Sequence, residues 1–248
     1  MTKYPTISVI IPVYNGERFL AEAVRSVLDQ TLTPDEIIVI DDGSTDGTAA
    51  LVQSMAAGIR YIYQQNQGPA AARNRGLELA SGDLIAFQDA DDLWTAERLA
   101  IQVGLLACQP SLHAVIGRTR FIYEDTVPTE PAAKLPHWFL GIHSGLYRRS
   151  AFAVNGPFNT RLRYHEDIDW FRRARTAALI IRPHDEVVLL HRRHAANTTN
   201  DRIAMGRELL RMLRQSPRDH NATAESLMAW LTKGVTDQVR EERTRVQQ

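Results

Sequence analysis

The chain alternates between short apolar runs rich in β-branched residues and stretches of helical periodicity. Ile7–Val13 (ISVIIPV) is nearly continuous in apolar residues and predicts a central strand, which Pro12 brings to its end because it cannot donate to a ladder. Glu17–Gln30 follows with Phe19, Leu20, Ala23, Val24, Val27 and Leu28 at helical spacing. A second strand is expected over Glu36–Ile40, a helix over 48–57, with Ser44 or Asp46 as its cap, a third strand over Ile59–Tyr63 and a helix over 70–80. Leu84-Ile85-Ala86-Phe87 is a short, wholly apolar run of the buried-strand type. Strand–helix units thus repeat four times before residue 95, the mark of a doubly wound α/β fold with a mostly parallel sheet.

Beyond Thr95, read as a helix N-cap, a helix is expected to about Ala107, where Pro110 stops it. A strand over His113–Tyr123 precedes a proline-bearing loop, Glu124–Pro136, and Trp138–Arg148 is strand-like. A short helix at Ser150–Val154 and a turn at Asn155-Gly156-Pro157 lead to a helix opening at His165-Glu166-Asp167. Two strands, Leu179–Ile181 and Glu186–Leu190, come next. Helices over 202–215 and 222–245 close the chain and read as a solvated amphipathic tail. The pattern divides the chain into a main domain, 1–200, with halves 1–95 and 96–200, and a helical extension, 201–248.

Charge removes one class of partner. Lys and Arg together number 29, as do Asp and Glu, so no basic field speaks for nucleic acid. The one cysteine, Cys108, excludes an internal disulfide and, in an apolar helical stretch, reads as a small core residue. No apolar run reaches membrane-span length and the N-terminal run is too short for a signal peptide, so a cytoplasmic protein is expected, with contact at the inner face of a membrane left open.

Candidate chemistry concentrates where the fourth strand ends. Asp89, Asp91 and Asp92 lie within four residues at what should be the C-terminal edge of the sheet, where open α/β folds hold ligands. Such carboxylates repel one another unless a cation sits among them, and an oxygen-only ligand set suits Mg²⁺ or Mn²⁺. An acidic turn is the structural alternative. The second acidic group, Glu166, Asp167 and Asp169, has a bland explanation too, because a helix dipole favours carboxylates in the first turn. Trp170 and Trp138 read as core residues, Arg172, Arg173 and Arg175 as a solvated helix face, and the histidines show no metal-ligand spacing along one helix. No G-x-G-x-x-G follows the first strand, which argues against a dinucleotide site.

Five stretches, taken in order, resemble the family 2 glycosyltransferases. They are Ser8–Asn15, Asp41–Thr48, Asn66-x-Gly68-x-Ala70-x-Ala72-Arg73-Asn74-x-Gly76, Asp89-Ala90-Asp91-Asp92, and Gly156-x-Phe158 followed by Glu166-Asp167. The resemblance covers about residues 8–201; where the family often has Phe-Asp-Glu, this chain has Phe158-Asn159-Thr160. It implies a GT-A fold and inverting transfer of a sugar from a nucleotide-sugar donor, UDP-linked first, to a glycan, lipid-linked or protein acceptor in glycan or cell-surface polysaccharide biosynthesis. Carried over residue by residue, Pro12, Tyr14 and Asp42 would line the nucleoside pocket, Arg73 would reach the base or phosphates, and Asp89 would hold the ribose. Asp91, helped by Asp92, would bind Mn²⁺ or Mg²⁺, and His194 would approach the metal or pyrophosphate. Asp167, with Glu166 beside it, would be the general base.

Two other classes remain. A nucleotidyltransferase would also use an Asp-bound metal, but it calls for a glycine-rich basic loop after the first strand, and Val13–Arg18 has a single Gly. A catalytically idle nucleotide-binding homologue would keep the fold without turnover. Donor sugar, acceptor and oligomeric state are not written in the sequence.

Overall fold

The structure, a computed structural model, describes residues 5–55, 58–124, 136, 141–195, 197, 201–214 and 229. Among these, β1 (Ile7–Val13), β2 (Glu36–Asp41), β3 (Ile59–Tyr63) and β4 (Leu84–Phe87) alternate with α1 (Leu20–Leu28), α2 (Thr48–Ser54) and α3 (Pro69–Leu79). The second half carries β5 (Leu93–Trp94), α4 (Arg98–Cys108), β6 (Ala114–Tyr123), a 3-10 turn (Ile142–Ser144), β7 (Gly145–Arg148), α5 (Arg149–Asn155), α6 (Glu166–Thr176), β8 (Ile181–Arg193) and α7 (Arg202–Arg214). The strands form one eight-stranded sheet in the order β3-β2-β1-β4-β7-β6-β8-β5. β1, β2, β3 and β4 pair parallel, as do β6 and β8, whereas β7 and β5 join antiparallel.

Strand alternation makes two cores. Val9, Ile11 and Val39 face α1, α2 and α4, and pack with Leu20, Val24, Val27, Val52, Leu99 and Leu106. Ile10, Ile38 and Ile40 face the other way, toward α3, α5 and α6, and pack with Ala72, Phe87, Phe152, Trp170 and Phe171. Trp170 is fully buried, as expected of a core tryptophan. The strand order reverses at β1, with β2 on one side and β4 on the other, all three parallel, which opens a crevice at their carboxyl ends. There Asn15 takes a left-handed φ of 52° and its side chain accepts from Thr45 N (2.8 Å), while Asn15 N donates to Ser44 Oγ (2.8 Å), so the loops after β1 and β2 are stitched together. Gly43, at φ 85°, lets the second loop turn where a side chain would meet Asn66.

Close packing of α3 on β1 depends on Gly76. A Cβ at that position would lie 2.3 Å from Ile10 Cγ2, and Ile10 is fully buried and cannot move aside. We expect Gly76→Ala to cost about 1–3 kcal/mol through overpacking, against at most about 1 kcal/mol recovered from helix propensity. A urea midpoint lowered at unchanged slope checks it.

Several sequence expectations change. Cys108 is exposed: the buried stripe of α4 is Leu99, Gln102, Val103 and Leu106, and position 108 falls off it. Thr95 does not cap α4 through its side chain, which donates to Val187 O, and the helix starts at Arg98. At α2 it is Asp46 that accepts from Thr48 N (3.0 Å), while Ser44 serves the β1 loop. The two strands expected after residue 178 are one, β8, and the strand-like stretch before Arg148 is a strand only from Gly145. Arg172 and Arg173 are not a solvated face: both pair with Asp169, and Arg173 also donates to Asn155 O and Pro157 O. Nor is α7 a solvated tail, since its Met212 is buried and its Glu208 is bonded to the segment before α6. His137, Trp138, all of the 124–136 loop except Glu124 and Pro136, and the helix expected over 222–245 apart from Ala229 lie outside the described residues. No described helix is long and apolar enough to cross a membrane.

Candidate active site

The β4 strand delivers Asp89, Asp91 and Asp92 to the crevice, as its apolar run requires. Each then takes a different environment. Asp92 is fully buried; its Oδ2 accepts from His191 Nδ1 (3.0 Å) and its Oδ1 from Arg192 N (2.9 Å), both on the end of β8. Asp91 is half-buried; its Oδ2 accepts from His194 Nε2 (3.0 Å) and Asn197 Nδ2 (3.3 Å), and among the described residues Oδ1 takes no such bond. Asp89 Oδ1 accepts from Arg73 Nη2 (2.7 Å), and its Oδ2 lies 3.3 Å from His143 Nδ1. Arg192 ties this loop to α1, with Nε on Asp91 O (3.0 Å) and Nη2 on Glu22 Oε2 (2.6 Å).

Arg73 is the hub. It lies on α3, almost wholly buried, and donates through Nη1 to Glu166 and through Nη2 to Asp89. One guanidinium therefore joins the end of β4 to the first turn of α6, and brings Asp167 to the same cleft. Two of the guanidinium's nitrogens are engaged by these carboxylates, and its buried Nε has no hydrogen-bond partner among the described residues. Glu166 is held as its ion-pair partner, while Asp167, half-buried, accepts from Ile168 N (2.7 Å). Asp169, the third acid of the turn, belongs to Arg172 and Arg173. Ion pairs along its own helix thus account for Asp169, and the cleft holds the other two.

The nucleoside-side candidates lie at the ends of β1 and β2. Pro12 is half-buried in β1, opposite Ile40, and Tyr14 is 54% exposed just beyond it. Asp42 is buried and accepts from Gln64 Nε2 (2.7 Å), Gln67 N (3.0 Å) and Gly68 N (2.7 Å), so it orders the loop into α3.

Electrostatics separate the carboxyl groups. Burial alone would raise Asp89, but the Arg73 guanidinium outweighs it and holds the carboxyl down to about 2. Burial raises Asp91, and the carboxylates of Asp92 and Asp89 add to this against the opposing bond from His194. Burial also raises Asp92, with His191 opposing. Asp167 is pushed up to about 8 by burial and by the neighbouring Glu166. His143 is depressed to about 4 by burial and is neutral. His191, in spite of its burial, is raised by the Asp92 carboxylate.

Can this cleft hold a cation? One group of metal-competent side chains among the described residues is Asp92, His143 and His191, whose candidate ligand atoms lie within 4.8 Å of one another and whose rings stack with centroids 5.7 Å apart. Asp91, His194 and Asn197 gather beside it. Carboxylate and imidazole groups crowded so that the carboxylates' own charges oppose ionisation fit a divalent cation. Spacing could not have revealed this, since the histidines come from a 3-10 turn and a strand end nearly fifty residues apart in the chain. A further buried cation, Arg98, stacks its guanidinium 3.9 Å from the Trp94 ring centroid and donates to Gly145 O (3.0 Å) beneath the site. An arginine on an apolar helix carried no signal in the sequence.

Known proteins share this architecture. The chain superposes on Staphylococcus aureus TarS 1-349 in complex with UDP-GlcNAc with a TM-score of 0.65 at 23% identity, over 79% of this chain and 61% of that one. It superposes on the Pyrobaculum calidifontis mannosyltransferase PcManGT in complex with GDP-Man and Mn²⁺ with a TM-score of 0.69 at 21% identity, over 93% of this chain and 70% of that one. These are GT-A glycosyltransferases, and the likeness establishes that fold. An uncharacterized glycosyltransferase of Rickettsia conorii is 38% identical over 148 residues, 59% of this chain but 23% of that longer protein. The Glycosyl transferase family 2 model matches residues 8–189, from β1 through the aspartate loop and α6 into β8, and the chain belongs to that family.

Proposed function

We propose that this chain is a metal-dependent inverting glycosyltransferase that moves a sugar from a nucleoside diphosphate donor to an acceptor hydroxyl. Residues 1–95 form the donor half and residues 96–200 the acceptor half. The observation that carries the reading is the Arg73 bridge, which brings a carboxylate with a raised pKa to the same cleft as the aspartate cluster. An attacking hydroxyl must lose its proton as the bond forms, and Asp167 takes it. Inversion needs one such base and no covalent intermediate. Pro12 and Tyr14 flank the base of the donor, Asp42 accepts from it, and Asp89 stands at the ribose with Arg73 behind it. A divalent cation, Mn²⁺ or Mg²⁺, would be held by Asp91, Asp92 and His194, with His143 and His191 beside Asp92 as the further metal-competent groups, and would stabilise charge on the diphosphate leaving group. The acceptor belongs to a glycan, lipid-linked or protein substrate reached from the cytoplasmic side, in polysaccharide biosynthesis.

TarS was solved with UDP-GlcNAc and PcManGT with GDP-Man, so the donor base is the first thing to measure. A thermal-shift panel of UDP, GDP, dTDP and CDP, each with and without Mn²⁺, decides it. Binding to the native state at a hundredfold excess over Kd stabilises by about 2.7 kcal/mol. We expect one nucleotide, UDP first, to raise Tm in a Mn²⁺-dependent way, and Asp91→Ala to abolish the metal dependence. No shift with any nucleotide would withdraw the enzyme reading.

A further inference from the structure

We infer that Glu208, on a helix beyond the family match, is a positioning residue that sets the first turn of α6 and with it Asp167; the inference rests on the proposed role of Asp167 as the base. Three consecutive backbone N–H groups run into α6. Arg163 N donates to Glu208 Oε2 (2.8 Å), and Tyr164 N (2.8 Å) and His165 N (3.2 Å) donate to Oε1. α6 begins at Glu166, and its N-cap residue, His165, makes no side-chain capping bond. The buried His165 ring lies against α7 instead, and its Nε2 donates to Met205 O (3.0 Å), a second tie to that helix. Glu208 does not serve the first-turn amides that an N-cap side chain would take; it fixes the three amides that lead the chain into the helix.

The chemistry of the clamp is specific. A carboxylate accepting three N–H groups makes charge-assisted bonds, which are shorter and stronger than neutral ones. Arg73 in turn ties Glu166 to Asp89 at the end of β4. The turn that carries Asp167 is therefore held at two points, by a cation from α3 and an anion from α7. The acidic first turn of α6 gives Glu208 no charge partner there, so its effect runs through the backbone it orders.

The test compares the full chain with its Glu208→Ala, Glu208→Gln and Asp167→Asn variants. Nucleotide release is followed with the donor selected by the panel, in Mn²⁺, alongside amide hydrogen exchange. In Glu208→Ala we expect faster exchange at amides 163–165. A misplaced base costs between about tenfold and a hundredfold, so kcat should fall by that factor with donor KM within about twofold. Glu208→Gln, with one acceptor oxygen left, should fall between. Unchanged exchange would overturn the clamp, and faster exchange with unchanged kcat would overturn its link to the base. A parallel loss of donor affinity would also overturn it, as general damage. If Asp167→Asn turns over like the parent, the base assignment has failed instead, and the exchange readings still decide whether Glu208 holds the segment.

Discussion

Asp167→Asn should abolish turnover while leaving donor binding intact. A positioned general base contributes about 10²–10⁴-fold, and asparagine keeps the shape while losing the proton acceptor. The Mn²⁺-dependent thermal shift with nucleotide should persist within about twofold in apparent affinity, a factor worth about 0.4 kcal/mol. A turnover within tenfold of the parent would remove Asp167 from the base role. The pH profile supplies a second check. As the proposed base, Asp167 would work as a carboxylate, and burial with Glu166 nearby lifts it to about 8. Activity at subsaturating donor and acceptor should therefore climb through pH 7 and level off above about 8, whereas an aspartate near its usual value of about 3.9 would have levelled off by pH 6. Stability should run the other way. A carboxyl whose folded pKa exceeds its unfolded one favours the fold when protonated. Its contribution is complete below pH 4 and is lost as pH rises toward 8. Asp167→Asn should therefore raise Tm at pH 8 and leave it nearly unchanged at pH 4, the exchange of stability for function expected of a catalytic carboxyl.

The same residues show how much of this was legible. β1 and β2 were plain because buried parallel strands are continuous β-branched runs, and α1 was plain because Leu20, Ala23, Val24 and Val27 repeat at helical spacing. β8 was split in two because Pro183 reads as a break. In the sheet the strand continues past it, and the β6–β8 register shifts just beyond the Ile116–Pro183 pair, where the ladder absorbs the irregularity. β5 has two residues and makes no pattern. In the site, the acidic runs stood out because carboxylates clustered at a strand end are costly without a purpose. Their partners did not. His143, His191 and Asn197 meet the aspartates only through sheet order, and Glu208 meets α6 only through packing of a helix that reads as a surface element. Arg73 was visible as a motif residue, but its carboxylate partners are 16 and 93 positions away, beyond the reach of any local spacing.

Those two partners make Arg73→Met the largest expected loss of stability. Methionine keeps much of the buried stem and removes the charge, leaving Glu166 and Asp89 together in a cleft that already raises Asp91 and Asp92. Removing one partner from a buried ion pair costs about 3–5 kcal/mol, and each kcal/mol moves Tm by about 2–4 °C in a domain of 150–250 residues. A fall of roughly 6–20 °C at pH 7 follows from those two ranges. Its pH dependence identifies the cause. In the parent, Arg73 holds Asp89 at about 2, below its unfolded value, so the stabilisation is present above about pH 4 and is lost as pH falls toward 2. The gap between parent and variant should be full at neutral pH and close over that interval. A gap that stays constant from pH 7 to pH 2.5 would mean lost packing rather than lost charge. Adding Asp89→Asn to Arg73→Met should recover part of the deficit, because it removes one stranded carboxylate, and a double-mutant cycle measures how much. Arg73→Lys should recover less than the charge alone suggests. A single ammonium does not present two parallel N–H arms to carboxylates on different elements. The arginine fork, not merely a positive charge, is what joins the loop after β4 to the helix that carries Asp167.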